Sequence, residues 1–127
     1  MKTILKYIAD AMADIEVPYH FMRNRSGKVT YPYFVSEIYP VESSSEDGRE
    51  EFTMMLTGFD RNRNMMRLLD MAAKIKEYFP PTEGLTAIVD KQCIAVFASL
   101  PQPVDSGEEE LQKLQINLNI KRWREKL

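Results

Sequence analysis

Few residues in this chain could do covalent or acid-base chemistry. One histidine, His20, and one cysteine, Cys93, stand among 127 residues, which removes most general-base, nucleophile and zinc-site arrangements. His20 has no ligand or nucleophile near it in sequence. Cys93 opens the apolar run Cys93-Ile94-Ala95-Val96-Phe97, where free cysteine behaves as a small hydrophobe, and no neighbouring base marks it as a reactive thiolate. A single cysteine also excludes an intrachain disulfide framework and points to a reducing compartment. The five glycines are isolated from one another, so there is no loop to cradle a phosphate. No residue is assigned a catalytic, cofactor-binding or metal-binding role, and no enzyme activity is expected.

Charge is the other resource. Nineteen acids against seventeen bases give a net charge of -2, which argues against a polyanion binder and against sequence-specific nucleic-acid recognition. The charges are nevertheless clustered. Residues 42–51 hold five acids and one base, and Glu108, Glu109 and Glu110 form a second acidic stretch; neither has the alternating ligands and closing glutamate of a calcium loop, so both read as exposed loops. Arg61, Arg63 and Arg67 crowd what reads as the start of a helix, where the macrodipole disfavours cations. They are candidates to meet acids on a partner chain, because arginine's planar fork suits interfaces. Glu46, Asp47, Glu50 and Glu51 are the candidate complement on a neighbouring copy, where head-to-tail pairing would build a ring, and the alternative reading of the arginines is plain surface solubility, since exposed charges cost little. Near the C-terminus, Lys121, Arg122, Arg124 and Lys126 surround the only tryptophan, Trp123, a candidate subunit anchor or a ring packed on the sheet.

The elements that must position these side chains follow from periodicity. Ile4, Leu5, Ile8, Met12 and Ile15 recur at helical spacing, and Pro18 should end that helix. The bracketed aromatic run from Tyr31 to Tyr39 reads as a strand, and Phe52, Met54 and Leu56 alternate with Thr53, Met55 and Thr57 in a second strand that pairs with it. Asp60 or Asn62 should cap a long helix over 62–79 with Met65, Leu68, Leu69, Ala72, Ile75 and Phe79 on one face, stopped by Pro80 and Pro81. Residues 85–89 and 94–98 make a second hairpin about Asp90-Lys91-Gln92, ended by Pro101 and Pro103. Leu114, Ile116, Leu118 and Ile120 alternate with polar residues in a last strand. The expected fold is one α+β domain over 1–127, with a mixed or antiparallel sheet of about five strands packed with two amphipathic helices, in the order α-β-β-α-β-β-β. Lys6, Asp10 and Asp14 break any signal-peptide core, and the longest largely apolar run, Cys93 to Leu100 with Ser99 inside it, is eight residues against about 20 for a membrane helix. A soluble, intracellular chain with no membrane partner is expected.

Tyr31-Pro32-Tyr33-Phe34-Val35, the strand at 52–57 ending near Gly58-Phe59-Asp60-Arg61, and the helix at 62–79 together resemble the tail terminator (tail completion) proteins of long-tailed bacteriophages and their prophage relatives, often described as minor tail proteins. The resemblance covers nearly the whole chain in element order and only this middle third in residues. The family often carries tryptophan or another bulky residue where this chain has Phe59, and the basic segment 121–126 has no match. The resemblance implies a structural assembly protein that forms a hexameric ring on the tail tube. It ends tube polymerisation and presents a surface to the head-side connector protein, so the tail-tube protein and that connector are the implied partners. It also implies assembly in the host cytoplasm and residence at the neck end of the virion tail. Alternatives are another head-tail connector or tail-tube component, or a small α+β enzyme or ligand-binding domain with a pocket between sheet and helices.

Overall fold

The computed structural model describes residues 2–22, 30–41 and 48–124. Helical spacing in the first segment becomes α1, Lys2–Asp14, which buries Ile4, Ile8, Ala11 and Met12. Pro18 is not what ends it. Glu16 takes a left-handed conformation at φ 59°, the Glu16 N–H donates to Ala13 and the Val17 N–H donates to Met12 at 2.9 Å. This is a Schellman turn, closed by the buried pair Met12 and Val17.

The chain then runs β1 Tyr19–Phe21, β2 Tyr33–Val41, β3 Glu50–Arg61, α2 Met66–Tyr78, β4 Leu85–Val89, β5 Gln92–Ala98, β6 Gln102–Val104 and β7 Leu111–Arg124. The fold is α+β, as the alternation and helical stripes predict, with seven strands where about five are expected. The two additions are short. β1 pairs parallel with β2, and β6 pairs with β7; Pro103 does not end the strand region but sits in β6, whose only partner among the described strands is β7, an edge position where a missing N–H is tolerated. The sheet order is β1-β2-β3-β7-β5-β4. Thus the last strand inserts at the centre, antiparallel to both β3 and β5.

The period of two sends one side of every central strand into a single core. Phe34 of β2, Phe52, Met54 and Leu56 of β3, Leu114, Ile116, Leu118 and Ile120 of β7, and Ile94 and Val96 of β5 meet α1 and α2 there. Of the stripe predicted for α2, Leu68, Ala72, Ile75 and Phe79 are fully buried, whereas Leu69 is exposed. Gly58 stands where β3 passes beneath α2: a Cβ there would lie 2.7 Å from the Phe34 ring and 3.0 Å from Leu68. Between β4 and β5 the turn is only Asp90 and Lys91, both with positive φ, and Gln92 already begins β5. That is a two-residue type I′ hairpin.

The largest departure is at the start of α2. The helix begins at Met66, not at 62, and neither Asp60 nor Asn62 caps it. Two forces delay it: β3 keeps its ladder with β7 as far as Arg61 opposite Leu111, and the Asn62 and Asn64 side-chain oxygens accept from the backbone N–H groups of Asn64 and Met66, which are local turns that compete with helix. Arg61 therefore ends a strand and Arg63 lies in a turn. Only Arg67 is in the first helical turn.

Candidate functional site

Both helices lie on one face of the sheet. On the other face, parity places Tyr33, Val35, Glu37 and Tyr39 from β2, Thr53, Met55, Thr57 and Phe59 from β3, alternate residues of β7 from Lys113 to Trp123, and Cys93 and Phe97 from β5. No described helix covers this face. At one end an aromatic ladder crosses it: Tyr31, Tyr33 and Phe59 follow at 5.6 and 5.5 Å between ring centres, and the His20 ring meets Tyr33 edge-on at 6.0 Å. Cations cap the ladder, with the Arg61 guanidinium 5.6 Å from the Tyr31 ring and the Lys113 ammonium 6.0 Å from the Phe59 ring. His20, the lone histidine, is thus a ladder member. At the other end, Val41, Thr53, Phe97, Asn119 and Lys121 line a shallow hollow of about 430 Å³.

The three predicted arginines gather at the aromatic end, each opposite an acid of this same chain. Asp60 is fully buried and takes a bidentate grip from Arg67, Nε to Oδ2 at 2.9 Å and Nη2 to Oδ1 at 2.5 Å. Arg61 lies 3.6 Å from Glu108 and Arg63 lies 3.8 Å from Glu110, both in the open. The sequence pattern suggested the other acidic loop as their complement. Nothing in the spacing revealed that residues 105–110 lie beside them, because that proximity is made by the pairing of β3 with β7. Arg67 has a structural duty that the other two lack. Arg67→Met should lower the denaturation midpoint by stranding the Asp60 carboxylate in the core, and Asp60→Asn in the same chain should recover part of that loss, since a neutral amide needs no counter-charge. Equal stability of Arg67→Met and wild type in urea titrations would remove this role.

At the opposite end of β3, Glu50 accepts from Arg122 Nη2 at 2.8 Å and lies 3.2 Å from Arg124 Nε. Its hydrogen bond to Arg122 holds the Glu50 carboxyl below its ordinary value. Glu51 lies 3.5 Å from Arg49. Glu46 and Asp47 fall outside the described residues. Arg122 continues the inward parity of Ile116, Leu118 and Ile120, so it is only 2% exposed, with its guanidinium 5.2 Å from the Phe52 ring. The basic cluster that reads as a surface patch is therefore split by the pleat: Arg122 inside, Lys121 and Trp123 on the open face. Trp123 stands opposite Cys93 there.

Among the described residues, no three histidine, cysteine, aspartate or glutamate side chains converge to hold a metal ion, and no helix is long and apolar enough to cross a membrane. No family model matches the chain, and neither the curated proteins nor the solved structures contain a significant match to it. The space between sheet and helices, where a ligand-binding domain would keep its pocket, is occupied by Phe34, Met54, Leu56, Phe79 and their neighbours, all without solvent exposure. The arrangement offers a broad, one-sided sheet wall with a charged cluster at each end. Along β3 the two clusters are separated by about 35 Å, eleven steps of roughly 3.3 Å each.

Proposed function

We propose that this chain is a tail terminator of a long-tailed bacteriophage or prophage, a structural protein without catalysis that caps the tail tube and offers the head-side connector a docking surface. The observation that carries the reading is the one-sided sheet. A wall of β2, β3, β7 and β5 with no described helix over it is the form a subunit needs to seat flat on a neighbouring protein layer, and β3 carries a charged cluster at each end, which head-to-tail ring closure would set against adjacent subunits. The element order adds to it, since helix, hairpin, helix, hairpin and late strand all recur, with β1 and β6 as short additions.

In this reading Arg61 and Arg63 are the ring contacts. Their pairs with Glu108 and Glu110 are exposed and exchangeable at little cost, whereas Arg67 is held by Asp60. Arg61→Glu with Arg63→Glu should abolish ring-sized species while leaving the thermal transition of the monomer in place, measured by light scattering behind size exclusion; an unchanged oligomer would remove these two residues from the contact. The function itself is tested by adding the purified chain to growing tail tubes assembled from the tube protein of the same phage. Tubes ending in a six-fold annulus and no longer elongating are expected. Tubes that keep growing, with no annulus on their ends, would sink the reading, and incorporation along the tube length would make the chain a tube component instead.

A further inference from the structure

A second hollow, of about 460 Å³, lies at the aromatic end of the open sheet face. The register of three strands builds it. Tyr33, Phe59 and Lys113 stand side by side in one cross-strand row, Val35, Thr57 and Gln115 form the next, and Glu37 stands beside Met55 in the third. Valine and threonine, the shortest of these side chains, thus lie between a row of rings on one side and Glu37 and Met55 on the other. The face is recessed there, and Met22, just past β1, closes the outer side. This size falls within the ~300–1,000 Å³ of small-molecule sites.

The polar groups around the recess are uncommitted. The Lys113 ammonium lies 6.0 Å from the Phe59 ring and has no carboxylate partner among the described residues. Neither the Thr57 hydroxyl nor the Gln115 amide has a hydrogen-bond partner among them. Glu37 accepts from the Tyr39 hydroxyl through Oε2 and keeps Oε1 for another donor. Lys113 and Glu37 stand at opposite corners, four residues apart along the strands and two strands apart across them, which is about 16 Å between their Cα positions. Lys113 leans over Phe59 toward β3, so its charge is nearer to Glu37 than that.

We infer that this recess binds a single nucleotide, with the base on the Val35 and Thr57 floor and the phosphate on Lys113. An amine on the base donates to Glu37, and Gln115 meets the base edge. Adenine and cytosine fit best, because each carries its amine on the edge remote from the sugar, and cation and carboxylate here are likewise at opposite corners. One unpaired cation matches one phosphate, whereas a chain of net charge -2 lacks the basic track that a longer polyanion needs. A neutral sugar would leave both charges unanswered. An apolar side chain of another protein would bury them without partners, at a cost.

The recess takes up one corner of the wall and belongs to the isolated chain, so the tail-end reading is not needed for it. Titrating the ¹⁵N-labelled full chain with AMP, CMP and UMP should shift the backbone amides of Val35, Thr57 and Gln115 in one-to-one binding, with AMP and CMP tighter than UMP. Lys113→Gln should weaken AMP about tenfold, the scale of one charge-assisted contact, and leave adenosine unchanged. Glu37→Ala should remove the preference for CMP over UMP. Val35→Phe should fill the floor and abolish binding, with the thermal transition showing that the chain still folds. Amides that stay silent at millimolar nucleotide overturn the proposal. So does AMP binding indifferent to Lys113→Gln, or inorganic phosphate that competes as well as AMP. A single-stranded oligonucleotide that binds far tighter than AMP and ignores Val35→Phe overturns it too, since its contacts then lie elsewhere on the wall.

Discussion

Gly58→Ala should destabilise the folded chain by about 2 kcal/mol, the range for forcing extra volume into a packed core. The new Cβ would meet two atoms of the Phe34 ring at 2.7 Å and Leu68 at 3.0 Å, and both side chains have no solvent exposure and nowhere to retreat. The strand itself would tolerate alanine, so the cost comes entirely from the contact between β3, β2 and α2. That origin gives the prediction a second arm. Phe34→Leu alone removes ring volume and leaves a cavity, which costs stability too. In the double variant the methyl introduced by Gly58→Ala occupies part of that cavity, so the combined loss should be smaller than the sum of the single losses, a coupling expected of residues in direct contact. Urea titrations with unchanged slope measure all three. Gly58→Ala within 0.5 kcal/mol of wild type, a margin of about the usual surface-substitution size, would mean that Phe34 is not locked as described.

The places where sequence and structure agree, and where they part, have a common physical origin. Local periodicity is a property of one segment, and it was legible: Ile4, Ile8 and Met12 on α1, Leu68, Ala72 and Ile75 on α2, and the alternation of β3 and β7 all bury the face that their spacing predicts. Pairing between neighbouring segments was legible too, in the hairpins β2–β3 and β4–β5, but pairing between segments far apart in the chain was not. β3 runs on to Arg61 because β7 extends to meet it, and this extension delays α2, hides Asp60 and brings Glu108 and Glu110 beside the arginines. β1 is three residues long and exists because β2 offers it an edge. Arg122 is the sharpest case. Its place in the alternation Leu114, Ile116, Leu118, Ile120 pointed inward, while its charge and its neighbours Lys121 and Arg124 argued for the surface. Parity prevailed because Glu50, directly opposite on β3, supplies a counter-charge at the rim of the core.

That pair carries the second large effect. At neutral pH, Glu50→Gln should cost about 2 kcal/mol, less than the ~3–5 kcal/mol for breaking a fully buried pair, because the Glu50 side chain is 44% exposed and partly screened while Arg122 is buried. Arg122→Met should behave oppositely. The Nε and Nη1 atoms of Arg122 are buried with no hydrogen-bond partner among the described residues, an unfavourable state that a thioether of similar length does not have. Stability should therefore be unchanged or raised, with the loss of the Phe52 contact as the opposing contribution. The pH dependence separates these accounts. The carboxyl of Glu50 is held below its ordinary value of 4.5, first by its hydrogen bond to Arg122. A carboxyl lowered in the folded state contributes stability that is complete above its unfolded value and lost as pH falls through the folded one. Wild type should thus lose this increment below about pH 4.5, and the gap between wild type and Glu50→Gln should close over the same interval. In Arg122→Met most of the slope should vanish, with a small remainder from the exposed Arg124, and adding Glu50→Gln to it should then cost little. If Arg122→Met instead destabilised as much as Glu50→Gln and kept the full acid slope, the buried guanidinium would be a stabilising element in its own right, held by the Phe52 ring more than by its anion.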